Sequence, residues 1–346
     1  MPTIAIVWDR DAVDSEHAFE AGPAEAAAVQ SVGGVLRDVG TVLRERGWEV
    51  LEVPLPGEPK ALFRTFLELS ADAVFNFAET WRGKARNEIG IGWALELSGI
   101  PYTGAPPWSL ATCLDKTRAR RILADAGASV PGGATITARG VEGSLEALRM
   151  PVIVKPAAQD ASHGIDATSV CHTLEQARTR AAALMARGMG DALIEEYVEG
   201  REFNVSVVDR RPLDGSAGPR VLTIAEIDYS RFPPGLPRIL TFDAKWAEES
   251  AEYTGSPSVA AKLTDDERQR IERIAITAWY AMRLEGYGRV DMRMDASGAL
   301  YVIDVNPNPD LSRGAGLCLA AERSGLSYED LVEGLAREAI LRDRSR

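Results

Sequence analysis

Four residues near the C-terminal end carry side chains whose types and spacing could do chemistry together: Arg289, Asp291, Asp304 and Asn306. They lie in two short apolar stretches, Gly-Arg-Val-Asp at 288–291 and Tyr-Val-Ile-Asp-Val-Asn-Pro at 301–307, parted by the turn-like Asp-Ala-Ser-Gly at 295–298. In a strand, side chains two apart share a face, so Arg289 goes with Asp291 and Asp304 with Asn306. Two carboxylates and an amide oxygen suit magnesium, which takes a few protein oxygens and completes its octahedron with water and phosphate. An arginine beside them can neutralise charge developing on a reacting group. The set reads as a magnesium–nucleotide site rather than a generic acidic surface.

Residues upstream fit the same chemistry. Lys155 ends the apolar run Pro-Val-Ile-Val-Lys-Pro at 151–156, where an ammonium can leave the core and meet a phosphate in a cleft. Lys116 opens a helix, whose N-terminal dipole also attracts anions. Taken alone, either lysine reads more simply as a surface residue. Glu195, Glu196, Tyr197 and Val198 could form a hinge that presents backbone groups to an adenine edge, with Glu202 accepting ribose hydroxyls. A solvated strand end is the plainer alternative. Lys245, in Phe-Asp-Ala-Lys-Trp at 242–246, would be a third cation on the phosphates if this loop closes as a lid, and a surface anchor if not.

The elements that must position these groups alternate at first. Strands are expected at 4–7, 49–53 and 73–77 and helices at 24–46 and 89–97, with 100–104 a short strand and turn. Such alternation implies a parallel, doubly wound α/β sheet. No Gly-x-Gly-x-x-Gly follows the first strand, which runs into Trp-Asp-Arg-Asp at 8–11, so a dinucleotide site there is not expected. A smaller mixed α+β part follows. Its expected strands lie at 151–156, 193–198, 204–208 and 221–227, and its helices at 115–127, 174–187 and 265–284. The two metal strands and a helix at 328–341 complete the chain. The expected division is 1–104, 105–194 and 195–346, with the nucleotide cleft between the second and third parts.

Composition narrows the function class. The 346 residues carry a net charge of −12 and no run of lysine and arginine, which argues against a nucleic-acid or anionic-membrane partner. Arg118, Arg120 and Arg121 read as a solvated helix face. Three widely spaced cysteines form neither a metal pattern nor a disulfide framework, so a reduced compartment is the simpler reading. Neither a signal peptide nor a membrane-spanning stretch is read, and the expected location is the cytoplasm.

Taken in order, Asp-Lys at 115–116, Val-Ile-Val-Lys-Pro, Glu-Glu-Tyr-Val-x-Gly-x-Glu-Phe at 195–203, Ala-Lys-Trp at 244–246, Gly-Arg-Val-Asp and Asp-Val-Asn-Pro form the run of an ATP-grasp enzyme. More narrowly, the chain resembles the D-alanine–D-alanine ligase family, closely from about residue 73 to 341 and in outline before that. The resemblance implies the ATP-grasp fold and an ATP-dependent carboxylate–amine ligase that works through an acyl phosphate. It implies ATP and Mg²⁺, two ions with Mn²⁺ as an alternative, as cofactors, small-molecule carboxylate and amine substrates, and a homodimer. It makes Lys116 and Lys155 phosphate lysines, Glu195 and Glu202 adenine and ribose contacts, and Lys245 the flexible-loop lysine. Asp291, Asp304 and Asn306 match the magnesium ligands, with aspartate at 304 where the family usually has glutamate. Arg289 matches the arginine that meets the carboxylate and the tetrahedral intermediate.

The substrate half departs from the pattern. The first loop reads Asp-Arg-Asp-Ala-Val-Asp at 9–14 without the family's glycines and glutamate, and His-Gly after Phe-Asn is replaced by Glu79-Thr80. The Gly-Ser-Ser phosphate loop appears as Asp-Ala-Ser-His-Gly at 160–164, which leaves Ser162 as its catalytic serine. Beyond the metal strand, Pro-Gly becomes Pro309-Asp310, and a later serine gives way to Arg-Gly-Ala-Gly at 313–316. The expected activity is therefore ligation of a substrate pair other than two D-alanines. Arg82, Arg86 and Arg313 are candidates for a substrate carboxylate, Glu79 and Asp310 for an ammonium, and His163 for phosphate or acyl donor. Each also reads as a solvated charge. The housekeeping D-alanine–D-alanine reaction and a non-catalytic ATP-binding module are the alternatives.

Overall fold

The computed structural model describes residues 1–10, 23–159, 162–209, 215–216, 218–247 and 249–342, with the backbone alone at 23–32 and 246. The first sheet is parallel, with strand order β2 (Glu49–Leu55), β1 (Thr3–Asp9), β3 (Ala73–Asn76). Alternate residues of β1 feed two cores: Ile4 and Ile6 pack with Val39 and Leu43 of the helix Pro23–Glu45, while Ala5 and Val7 pack with Phe66 and Leu95 on the other face. Burial on both faces is why this strand reads as a continuous apolar run. The expected strand at 100–104 amounts to one parallel bridge, Val74 to Tyr102.

The second sheet is antiparallel, in the order β5 (Gly140–Glu142), β4 (Gly133–Thr137), β8 (Ala192–Glu196), β6 (Val152–Pro156), β7 (Val170–Cys171), and is backed by the helix Leu174–Ala186. The third runs β12 (Ser258–Ala260), β11 (Ala225–Ile227), β9 (Arg201–Asp209), β13 (Tyr287–Met294), β14 (Leu300–Asn306), with β10 (Pro219–Val221) also on β9. The single strand expected at 221–227 is thus two short ones, parted by residues 222–224. The helix Asp265–Ala281 covers this sheet through Ile271, Ala275 and Trp279. Thr264 and Glu267 close a reciprocal cap at its start, and three acidic residues fill its first turn, which suits the helix dipole.

Two packings join the sheets. Ala119 and Leu123 of the helix Lys116–Asp125 are buried with the third sheet's core. The C-terminal helix Tyr328–Leu341 returns to the first sheet, burying Leu331, Val332 and Leu335 beside Ile4 and Phe75. Each such aliphatic side chain contributes roughly 1.5–3 kcal/mol by its burial. Gly200 sets the join between β8 and β9. Its φ is +146°, and a Cβ there would lie 2.0 Å from the carbonyl oxygen of Met294, so only glycine lets the hinge cross the end of β13.

Candidate active site

β13 and β14 are direct antiparallel neighbours in which Arg289 faces Asn306 and Asp291 faces Asp304, with a register shift just after Asp291. Asp291 is buried. Arg289 grips it with Nε to Oδ1 at 2.7 Å and Nη2 to Oδ2 at 2.9 Å, and Asn204 Nδ2 donates to Oδ1 at 2.8 Å from the neighbouring β9. Burial alone would lower the Arg289 guanidinium, but Asp291 and then Asp304 hold it firmly charged.

Asp304 is served from another part of the chain. Lys116, at the start of its helix and capped by Asp115, puts Nζ 3.3 Å from Oδ1 and 3.2 Å from Oδ2 of Asp304. Burial would raise this carboxyl, but Lys116, Lys155 and Lys245 pull it below the ordinary aspartate value. Lys155 donates to the carbonyl of Ile303 at 3.1 Å, one residue before Asp304. Lys116 and Lys155 thus both reach β14, at Asp304 and Ile303, beside the Arg289–Asp291 pair on β13.

Lys155 also pairs with Glu195 at 2.5 Å, and Glu195 meets Arg120 Nε at 2.6 Å. Only 1% of Glu195 is exposed, so its carboxylate is the buried counter-ion of two cations rather than a group turned to solvent. Arg120 also donates to the carbonyl of Pro131, so it is not part of a solvated helix face. Glu196 binds Arg149 through both its oxygens (Nη2 at 2.6 Å), which holds its carboxyl below the usual range.

The expected lid is partly regular: Lys245 sits in the short helix Phe242–Trp246, capped by Thr241, rather than in a loop. The segment before it lies on the loop that carries Ser162 and His163. Ser162 donates to the carbonyl of Leu240 at 3.0 Å, Phe242 N to that of Ile165 at 3.4 Å, and the rings of His163 and Phe242 stand 4.8 Å apart. Ser162 holds a φ of +61°, a left-handed backbone unusual for serine. Desolvation first, then the Arg289 cation, lowers the Lys245 ammonium.

The donor set fits a small hard cation. Two facing carboxylates and the Asn306 amide lie on adjacent strands, and each carboxylate already has a cation on it that an ion could supplant. Asn306 Oδ1 accepts from Asn308 N at 3.0 Å. No group of three or more His, Cys, Asp or Glu suited to a metal occurs among the described residues, so this set depends on the amide.

The comparisons can now be placed on this geometry. Residues 134–337 match the family model described as the D-ala D-ala ligase C-terminus. The chain belongs to the D-alanine–D-alanine ligase family. A D-alanine–D-alanine ligase of Xylella fastidiosa is 30% identical over 309 residues, covering 88% of this chain and 92% of that one. An uncharacterised protein of Sinorhizobium fredii is 30% identical over 311 residues, 88% of this chain and 86% of its own. The structure of the D-alanine–D-alanine ligase from Bacillus anthracis complexed with ATP aligns with a TM-score of 0.73 at 19% identity, over 99% of both chains. The VanG D-Ala:D-Ser ligase from Enterococcus faecalis aligns with a TM-score of 0.69 at 20% identity, over 98% of this chain and 99% of that one. These neighbours show the ATP-grasp fold, and family membership makes the protein an ATP-grasp ligase that forms carbon–nitrogen bonds.

The substrate candidates of this ligase are less gathered. Arg82 and Arg86 are exposed, Arg82 with its guanidinium 5.8 Å over Trp81. Arg313 pairs with Glu329 at 2.8 Å and lies 4.1 Å over Tyr328, which engages it on the C-terminal helix. Asp310 accepts from the backbone and hydroxyl of Ser312. Burial first, then the charges of Glu79 and Glu88 and, less, Asp310, push the Tyr287 phenol upward. The first-loop positions 11–14 and residues 160–161 of the phosphate loop lie outside the described residues.

One residue of the site went unread in the sequence. Arg293, 3% exposed on β13, reaches Glu202, the Val198 carbonyl and the Tyr197 hydroxyl. It follows Arg289 and Asp291 at the spacing of one strand face, which is the signal that could have found it.

Proposed function

We propose that this ligase uses ATP to activate a small carboxylate as an acyl phosphate and joins it to an amine, releasing ADP and phosphate, on a pair other than two D-alanines. The observation that carries the nucleotide half is the contact of Lys116 with Asp304, across 188 residues of chain. It sets a helix-start cation against the carboxylate strand at the meeting of two sheets. Lys116, Lys155 and Lys245 would take the phosphates, the 197–198 hinge the adenine, and Glu202 the ribose. Asp291, Asp304 and Asn306 would hold Mg²⁺, two ions or Mn²⁺ in their place. When bound, the metal would neutralise the oxygens of the transferring phosphoryl group.

A carboxylate is a poor electrophile, and phosphorylation gives it a good leaving group. Lys116 and Lys155 relieve the repulsion between phosphate and carboxylate, and Arg289 stabilises the oxyanion that forms when the neutral amine attacks. The segment ending in Lys245 excludes water from the acyl phosphate. Glu79, Glu88 and Asp310, whose charges all act on Tyr287, favour an ammonium-bearing substrate, as D-alanine also is; the changed pair is supported by the replaced substrate positions Glu79-Thr80, Pro309-Asp310 and Arg-Gly-Ala-Gly at 313–316. The same reading includes the three-part division of the chain, a homodimer and a cytoplasmic location.

A second reading, D-alanine–D-alanine synthesis itself, is favoured by the relatives that bear that name. ADP formation across a panel of D- and L-amino acids and small carboxylic acids, followed by product mass, separates them. Turnover with D-alanine alone overturns the changed pair. ATP binding without turnover on any pair overturns the ligase chemistry and leaves a nucleotide-binding module.

A further inference from the structure

Arg293 makes contacts that no phosphate or metal role explains. Its Nη1 donates to the Val198 carbonyl at 2.9 Å and to the Tyr197 hydroxyl at 3.3 Å, in the hinge between β8 and β9. Its Nη2 donates to Glu202 Oε2 and to the carbonyl of Arg238. Arg238 lies in the stretch that leads through Leu240 to Lys245 and rests on Ser162. Tyr197 also donates its hydroxyl to the Arg238 carbonyl, at 3.1 Å. A second donor, the Tyr229 hydroxyl, reaches Glu202 Oε2 at 2.8 Å. All these bonds on Glu202 fall on one oxygen, and Oε1 accepts nothing from the described residues.

We infer that Arg293 is a positioning residue that couples recognition of the ribose to closure of the lid over the phosphates. The inference rests on the reading of Glu202 as the ribose carboxylate. A guanidinium presents several donors in one rigid plane, so it can fix a carboxylate rotamer and a lid carbonyl at once, which an ammonium cannot do with the same geometry. With Oε2 committed to Arg293 and Tyr229, Oε1 is left to accept a sugar hydroxyl. A ribose that draws on Glu202 and a lid that docks on Arg238 then bias the same side chain, and the bias is reciprocal.

The test measures ATP, 2′-deoxy-ATP and 3′-deoxy-ATP binding by calorimetry, together with ADP release in the absence of amine. Wild type should prefer ATP over at least one deoxy analogue by about tenfold or more, as expected for a lost charge-assisted hydrogen bond. Arg293→Lys should reduce that preference severalfold and raise amine-independent ADP release, because an unlatched lid admits water. Tyr229→Phe, which leaves Arg238 untouched, should reduce the preference without raising idle ADP release. If Arg293→Lys does not fold, the Arg293→Met, Glu202→Gln pair removes both charges together, and it should show idle release where Glu202→Gln alone does not. An Arg293→Lys enzyme with wild-type preference and no idle release overturns the coupling, as does an equal loss for all three nucleotides. A wild type that binds no ATP overturns the ligase reading itself.

Discussion

Asp291 and Asp304 are cross-strand partners, yet their carboxylates are held by cations from different parts of the chain. Asp291 is gripped by Arg289 two residues away on its own strand, and Asp304 by Lys116 at the start of the helix Lys116–Asp125. Two like charges directly opposite would otherwise oppose the pairing of the strands. The site is therefore assembled only when the two parts of the chain meet.

Asp304→Asn should reduce metal-dependent turnover by at least about 100-fold while the thermal midpoint moves by only a few degrees, since the side chain is 37% exposed and packs in no hydrophobic core. Turnover against Mg²⁺ concentration, with a melting curve on the same sample, checks it. A variant as active as wild type would remove Asp304 from the metal set.

Arg289→Lys keeps a cation beside the buried Asp291 but loses the two-pronged grip. The expected loss in kcat is about 10²–10³-fold, the scale of one lost oxyanion donor, with little change in KM for ATP. Arg289→Ala should also cost about 3–5 kcal/mol of stability in chemical denaturation, because it leaves a buried carboxylate without its cation. Equal kcat in Arg289→Lys and wild type would mean that the guanidinium does not meet the reacting group.

The strongest elements were legible because each has a local cause. β1 and β14 are short apolar runs, and the helix at 328–341 starts at its Ser327 cap and ends where the sequence places it. Arg120 was misread, although its place four residues after Lys116 puts both on one helix face. What hid it was Glu195, which joins Arg120 only through the packing of the second sheet. Arg293 was equally available from strand alternation but lacked a partner nearby in sequence. Lys245 read as a loop residue because a five-residue helix is too short to show a period. The partners of Arg313 lie at Glu329 and Asp38, separations that no local pattern encodes.

Gly200→Ala should cost more than about 3 kcal/mol, since the new methyl meets the backbone of Met294 and no side chain can move aside for it. Gly90, inside the helix Glu88–Ser98 with nothing within 4 Å of an added Cβ, is the matched control. There Gly90→Ala should be neutral or stabilising by up to about 1 kcal/mol. Denaturation midpoints for the two variants decide it, and a Gly200→Ala protein as stable as wild type would contradict the hinge geometry.

Asp166 gives the pH dependence. Its Oδ1 accepts from Thr168 N at 2.8 Å, and its Oδ2 pairs with Arg180 at 2.7 Å, while the same Arg180 nitrogen holds the carbonyl of Gly164. Partial burial alone would raise this carboxyl, but the bonds from Thr168 and Arg180 bring it below the ordinary aspartate value. A depressed pKa means that the folded state holds the proton less well than the unfolded chain. The stabilisation is therefore complete above the unfolded value near 4 and is lost as pH falls through the lower folded value. Half the side chain is exposed, so solvent screening limits the contribution to about 1 kcal/mol or less. The stability difference between wild type and Asp166→Asn should stay constant from pH 7 to about 5 and shrink below about 4. Denaturation of both proteins across that range checks it, and a difference that widens on acidification would show that the carboxylate is not held by Arg180.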